Sequence, residues 1–225
     1  MPVFHKSKVI FIRVPKTAST SMHMALGRDN HDGLYHETIS SIEARLKKET
    51  FNNYFKFAFV RNPWDWVLSW FYFKKTNIWH NEPGPDFSTW IENIGNIYKS
   101  RDNRYWYPGV EYAYSPNKKE FLSCGWRTCR AKIGYPCVCL MTNCQSDFIC
   151  NKNREIGVDF VGRFESLQED WSYVVKKTSG LRPKEKLGIF VKTNHKHYRE
   201  EYTDKAAEVV SNLYSEDINT FEYKF

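Results

Sequence analysis

The run Pro15-Lys16-Thr17-Ala18-Ser19-Thr20 combines one cation with three hydroxyl side chains, directly after the apolar stretch Val9-Ile10-Phe11-Ile12. That stretch is rich in β-branched residues and predicts a buried strand, ended by Pro15. Ser19 or Thr20 can cap a helix running to about Leu26, with Gly27 as its stop. A strand, a short loop and a helix N-terminus together form an anion cradle, because the first helical N–H groups lack intrahelical partners and the helix dipole favours negative charge. Lys16 adds a point charge, and Thr17, Ser19 and Thr20 add donors, with Ala18 between them. Taken alone, the same residues also describe a capped helix with an incidental lysine. The glycine spacing GxxxxGK[ST] is missing, which argues against a standard nucleoside-triphosphate hydrolase.

A second unit of the same kind follows. Phe55 to Val60 predicts another strand, and Arg61 ends it. Asn62-Pro63 then opens a helix, with Pro63 at the first helical position and Asn62 or Asp65 supplying first-turn polarity. Ser69 falls two turns into that helix, on a side that can face back toward the loop. A guanidinium and a hydroxyl so spaced can grip one phosphate. Arg61 alone would read as a surface ion pair; with the first loop present, in this order and at this separation, a phosphate grip is favoured over it.

The elements that must position these residues alternate. Helices are predicted over 40–48, 87–97, 165–177 and 202–214, and a third strand over Val158 to Phe164. Alternating strands and helices indicate an α/β fold: a P-loop-like central parallel sheet flanked by helices. The 225 residues suit a single domain, 1–225, with an irregular cysteine-rich insertion at about 100–150. All six cysteines fall there, at 124, 129, 137, 139, 144 and 150. Their clustering suits a local staple by disulfides or zinc, with free thiols as the alternative, and no paired CxxC selects zinc.

Hydrophobic residues make up 41% and charged residues 26%, an ordinary globular balance, and the formal net charge of +7 attracts anions. The charge is spread rather than gathered in a tail, so it does not select nucleic acid, and no nucleic-acid partner is expected. No stretch reads as a secretory signal or a membrane span. Aromatic residues reach 17%. Most are expected in the core, though Trp79, Trp90 and especially Tyr105, Trp106 and Tyr107, beside Arg101 and Arg104, could stack on a sugar. Lys192, Asn194, His195, Lys196 and His197 could approach a nucleotide or a sulfated sugar, or lie in a solvated loop.

The segment from Ile12 to Ser21 resembles the 5′-phosphosulfate loop of sulfotransferases that use 3′-phosphoadenosine 5′-phosphosulfate (PAPS), in particular the carbohydrate branch with its uronyl 2-O- and chondroitin-type enzymes. Phe57 to Trp70, a strand followed by RxPxxxxxS, is similar to that family's 3′-phosphate motif. The stretches Gln145-Ser146-Asp147-Phe148, Val158 to Glu165, Asp170-Trp171 and the ending from His197 to Phe225 look like the same enzymes, and the likeness is poorest over about 76–144. The resemblance implies in-line transfer of a sulfuryl group from PAPS to an acceptor hydroxyl, with PAPS and a glycan as partners and no metal. It implies cofactor binding by Lys16, Thr17, Ala18, Ser19, Thr20, Arg61 and Ser69, and catalysis by Lys16. It points to His36 as the base, since a catalytic histidine occupies that interval in the uronyl branch. An imidazole titrates near neutrality and suits the task. Glu37 is the alternative base, and both residues also suit a helix entry. A kinase-like phosphotransferase and a non-catalytic module binding anionic glycan or nucleic acid are the competing readings. A soluble, cytoplasmic location is expected, or the Golgi lumen if a membrane anchor precedes the chain.

Overall fold

A computed structural model describes residues 3–27, 31–32, 36–77, 86–92, 144–178, 183–188 and 195–225. In chain order the strands are β1 (Val3–Phe4), β2 (Val9–Ile12), β3 (His31–Asp32), β4 (Phe55–Val60) and β5 (Phe160–Arg163). The helices are α1 (Ser19–Leu26), α2 (Ile39–Arg45), α3 (Lys48–Asn53), α4 (Pro63–Asn77), α5 (87–92), α6 (Ser146–Ile149), α7 (Leu167–Lys177), α8 (Tyr198–Glu201), α9 (Asp204–Leu213) and α10 (Ser215–Phe221). The chain divides into two compact units, Met1–Arg61 with Gln145–Lys192, and Asn62–Cys144 with Thr193–Phe225.

The first unit is the α/β body. Its sheet has the order β3-β1-β2-β4-β5. β2, β4 and β5 are parallel, with Phe11 opposite Phe57 and Ala58 opposite Val161. This is the parallel centre that the sequence predicts. β1 adds an antiparallel edge, pairing with both β2 and β3. Two-residue strands are too short to show a period of two, which is why composition leaves them unseen. Residues of β2 are buried throughout, so the strand reads as a continuous apolar run rather than an alternating one.

The core of this unit gathers Phe11, Phe57 and Phe59 from the sheet, Met22 and Leu26 from α1, and Trp171 and Val174 from α7. Phe11 and Phe57 stack at 4.7 Å with their planes 10° apart. α7 carries Glu169 and Asp170 in its first turn and Lys176 and Lys177 in its last, matching the helix dipole at both ends. β5 is shorter than the predicted Val158–Phe164, because the chain turns into a 3₁₀ turn at Phe164–Ser166 before α7.

Gly162 in β5 lies under the Phe59 ring, and a Cβ there would stand 2.5 Å from a ring carbon. Gly162→Ala is therefore expected to destabilise the protein by about 1–3 kcal/mol through overpacking. Thermal or denaturant unfolding checks this; an unchanged midpoint would show that Phe59 moves aside without cost.

The second unit is helical and aromatic. Trp66 meets Trp70 and Tyr214 edge-on, and Phe71 packs on Phe87 and Trp90. Core packing thus accounts for Trp90, while Trp79 and Tyr105 to Tyr107 lie outside the described residues. Asn62 caps α4, its Oδ1 accepting the Trp64 N–H at 3.1 Å. The helix expected over 202–214 runs from Asp204 to Leu213, because the Thr203 side chain caps it by accepting from the Ala206 N–H. The helix expected to end near 97 is described as far as residue 92. Most of the predicted insertion at 100–150, with Cys124, Cys129, Cys137 and Cys139, also lies outside the described residues. Its end is regular, since Ser146–Ile149 forms α6. Among the described residues, no helix is long and apolar enough to cross a membrane.

Candidate active site

β2 delivers the chain into the Lys16 loop through Arg13 and Val14, both fully buried. Lys16 and Ala18 take left-handed conformations, with φ of 62° and 58°. Such conformations cost roughly 1–2 kcal/mol each for residues with a Cβ. Left-handed residues placed this closely belong to the backbone pattern that turns successive N–H groups toward one side as an anion-binding concavity. Ala18 is the N-cap of α1, where the sequence reading places Ser19 or Thr20. The helix begins with no side-chain cap and no acidic residue in its first turn. α2 and α9, by contrast, are capped by Thr38 and Thr203. Neither the cap residue nor the first turn of α1 therefore supplies an anion to its first N–H groups.

The Thr17 hydroxyl is committed locally. It donates to the Val14 carbonyl at 2.9 Å and is fully buried. Thr17 consequently braces the loop with its side chain and offers a ligand only its backbone N–H. Ser19 is buried in the first turn of α1, and Thr20 is half-buried beside it.

Arg61 follows the last residue of β4 and reaches this loop. Its Nη1 donates to the Lys16 carbonyl at 3.2 Å, and its guanidinium lies 4.0 Å from the centre of the Phe164 ring. The structure thus brings together the two cations that the sequence places in separate motifs. Burial first, and the neighbouring Arg61 charge second, lower the Lys16 pKa to about 7. Two cations held side by side with little water are the electrostatic complement of a polyanion.

His36 is tied to the same segment. Its Nδ1 lies 2.6 Å from the Arg13 carbonyl. A carbonyl only accepts, so Nδ1 carries the proton and the neutral ring keeps its lone pair on Nε2. Burial pushes the His36 pKa down to about 4, against the carbonyl bond, which favours the charged form; the Arg13 charge acts in the same sense as burial. The imidazole is therefore neutral across the physiological range. Glu37 is placed differently. Its carboxylate is buried and accepts from Arg45 Nε at 2.7 Å, Arg45 Nη2 at 3.1 Å and the Ser41 hydroxyl at 3.2 Å. The carboxylate so occupied pins the entry to α2.

Ser69 is buried on α4, within the helical unit. His195 stacks on Tyr72 at 5.1 Å, and the His197 side chain caps α8 by accepting from the Arg199 N–H. Lys192 and Asn194 lie outside the described residues. Among the described residues, no group of three or more His, Cys, Asp or Glu is arranged to hold a metal ion.

Two site residues are not legible from motif spacing. Phe164 provides the face on which Arg61 lies, and the Gln145 amide pairs with the Arg61 backbone. Gln145 stands far from Arg61 in the chain, and no local periodicity connects them.

Comparison of the whole chain with protein families gives a match to the sulfotransferase family over residues 1–224. Comparison with curated proteins and with solved structures gives no match.

Proposed function

The chain belongs to the sulfotransferase family, and from that premise we propose that it moves a sulfuryl group from PAPS to a hydroxyl of a carbohydrate acceptor. Sulfuryl transfer as the reaction class comes with the family. The observation that carries the donor is the pairing of Lys16 with Arg61 at the uncapped start of α1. A donor bearing phosphates at both its 3′ and 5′ positions needs two cationic grips, and Lys16 with Arg61 supplies them. The family match spans both units, which supports one sulfotransferase domain built from the two.

When bound, PAPS supplies an activated sulfuryl group attached through oxygen to its 5′-phosphate. The N–H groups of Thr17 to Thr20 hold that 5′-phosphate at the positive end of α1. Arg61 holds the 3′-phosphate. Lys16 donates to the bridging oxygen and meets the charge that develops there as its bond to sulfur breaks and the bond from the acceptor oxygen to sulfur forms. His36 accepts the acceptor hydroxyl proton at Nε2, its ring orientation fixed by the Arg13 carbonyl. The 3′,5′-bisphosphate leaves with the bridging oxygen. Positioning and charge stabilisation dominate such a displacement, as they do in phosphoryl transfer.

Binding of the bisphosphate product tests the donor assignment without any knowledge of the acceptor. Lys16 titrates at about 7 in the free protein, and a bound polyanion raises that value. Below about pH 7 the amine is already charged, and binding takes up no proton there. Above it, binding is expected to take up close to one proton, and affinity is expected to fall by up to about tenfold per pH unit. Calorimetry in buffers of different ionisation enthalpy reads the uptake directly. Saturable binding that weakens in Lys16→Ala and Arg61→Ala is the expected result; no saturable binding, or affinity indifferent to both changes, would contradict the donor.

A further inference from the structure

Arg61 is held by its backbone as firmly as by its guanidinium. β4 pairs with β2 only as far as Ala58, and with β5 only as far as Val60 opposite Arg163. The Arg61 peptide groups therefore lie just beyond both ladders, in a buried position. Both find their partner in one side chain. Gln145 Oε1 accepts the Arg61 N–H at 2.8 Å, and Gln145 Nε2 donates to the Arg61 carbonyl at 2.7 Å. The amide orientation follows from the chemistry, since a backbone N–H can only donate and a carbonyl can only accept. Gln145 is itself fully buried, so no solvent stands ready to replace it.

We infer that Gln145 is a positioning residue for the phosphate grip of Arg61, an inference that rests on the proposed role of Arg61. The carboxamide continues the β4 ladder by one residue and fixes the Cα from which the guanidinium is aimed. Lys16 and Phe164 fix the other end, through the Lys16 carbonyl and the Phe164 ring. A planar guanidinium recognises a phosphate through oriented N–H groups, so a small rotation at its root costs affinity. Among side chains that carry no titratable group only Asn and Gln present donor and acceptor side by side, and Asn is one methylene shorter.

Gln145→Met keeps the length and removes both bonds. Bisphosphate affinity is expected to fall by about tenfold, with KM for PAPS rising in parallel and kcat changed by less than about threefold. In an Arg61→Ala background the same change is expected to cost less than about twofold, because there is no guanidinium left to aim. Gln145→Glu adds a signature that general damage would not produce. Its carboxylate accepts from the Arg61 N–H but opposes the Arg61 carbonyl, whereas the protonated acid can donate to it. The loss relative to wild type at each pH is therefore expected to shrink between about pH 8 and about pH 5.5. Gln145→Glu also carries the comparison if Gln145→Met does not fold.

Wild-type affinity in Gln145→Met, or an undiminished loss in the Arg61→Ala background, would overturn the inference. If the wild type binds no bisphosphate, the proposed donor falls separately. Hydrogen exchange at the Arg61 amide then reads the positioning itself: faster exchange in Gln145→Met supports it, and unchanged exchange overturns it.

Discussion

Replacing Lys16 by alanine is expected to lower kcat by roughly 10²–10³-fold, the usual loss when one preorganised donor to a developing oxyanion is removed. The expectation follows from where the structure puts the amine. Lys16 sits in a left-handed position of the loop, beside the Arg61 guanidinium, and is largely desolvated. In such a place a charge acts at short range and with little screening. Ground-state affinity for the nucleotide is expected to fall less than turnover, because Arg61 and the N–H groups of α1 still hold the two phosphates. Lys16→Arg should not restore the rate: a planar fork on a longer, differently shaped stem cannot take the place of a compact ammonium at one oxygen. Parallel measurement of kcat and bisphosphate affinity separates the roles. Equal losses in both would make Lys16 a binding residue only.

The second large effect concerns His36. His36→Ala is expected to lower kcat by roughly 10²–10⁴-fold, within the range for removal of a general base, while leaving bisphosphate affinity within about twofold of wild type. Glu37→Gln is expected to behave in the opposite way. Its carboxylate is held by Arg45 and Ser41, so its neutralisation should cost about 1–3 kcal/mol of stability, allowing for the partly exposed Arg45, with little loss of turnover. Turnover lost in Glu37→Gln and kept in His36→Ala would exchange the two roles.

The pH profile supplies an independent check. His36 must be unprotonated to accept a proton, and its pKa lies at about 4. Lys16 must be protonated to donate, and its pKa in the free protein lies at about 7. The kcat/KM profile, which reports the free protein, should therefore fall below about 4 and above about 7. In kcat the alkaline limb should move upward, because a bound polyanion favours the charged amine. Lys16→Ala should lose that limb.

Much of the catalytic unit is legible in the sequence because it is built locally. Val9–Ile12 is buried throughout and Phe55–Val60 in all but its first residue, so each stands out as a largely apolar run. Lys16 follows the first run and Arg61 the second, at the C-terminal ends of neighbouring parallel strands, where open α/β sheets place their ligands. The resemblance to sulfotransferases starts from these two segments and extends to later stretches, and the family match over residues 1–224 agrees with it.

The less legible features depend on contacts distant in sequence or on backbone conformation. β1 and β3 are too short for any periodicity. The capping hydroxyls expected at Ser19 or Thr20 give way to Ala18 in a left-handed conformation, which no residue preference announces for alanine. Thr17 turns its hydroxyl inward to Val14, where residue type alone suggests a ligand donor. The choice between His36 and Glu37 becomes physical only when Arg45 and the Arg13 carbonyl are seen beside them. Gln145 is the furthest removed, since its partner is a backbone unit rather than a motif.

The most direct test of sulfuryl transfer from PAPS is an assay with ³⁵S-labelled PAPS and a panel of carbohydrate acceptors, with wild type and Lys16→Ala run side by side. Label on a glycan hydroxyl is expected with the wild type, and roughly 10²–10³-fold less with the variant. Equal labelling by the two proteins, or no labelling of any acceptor together with no saturable bisphosphate binding, would contradict it.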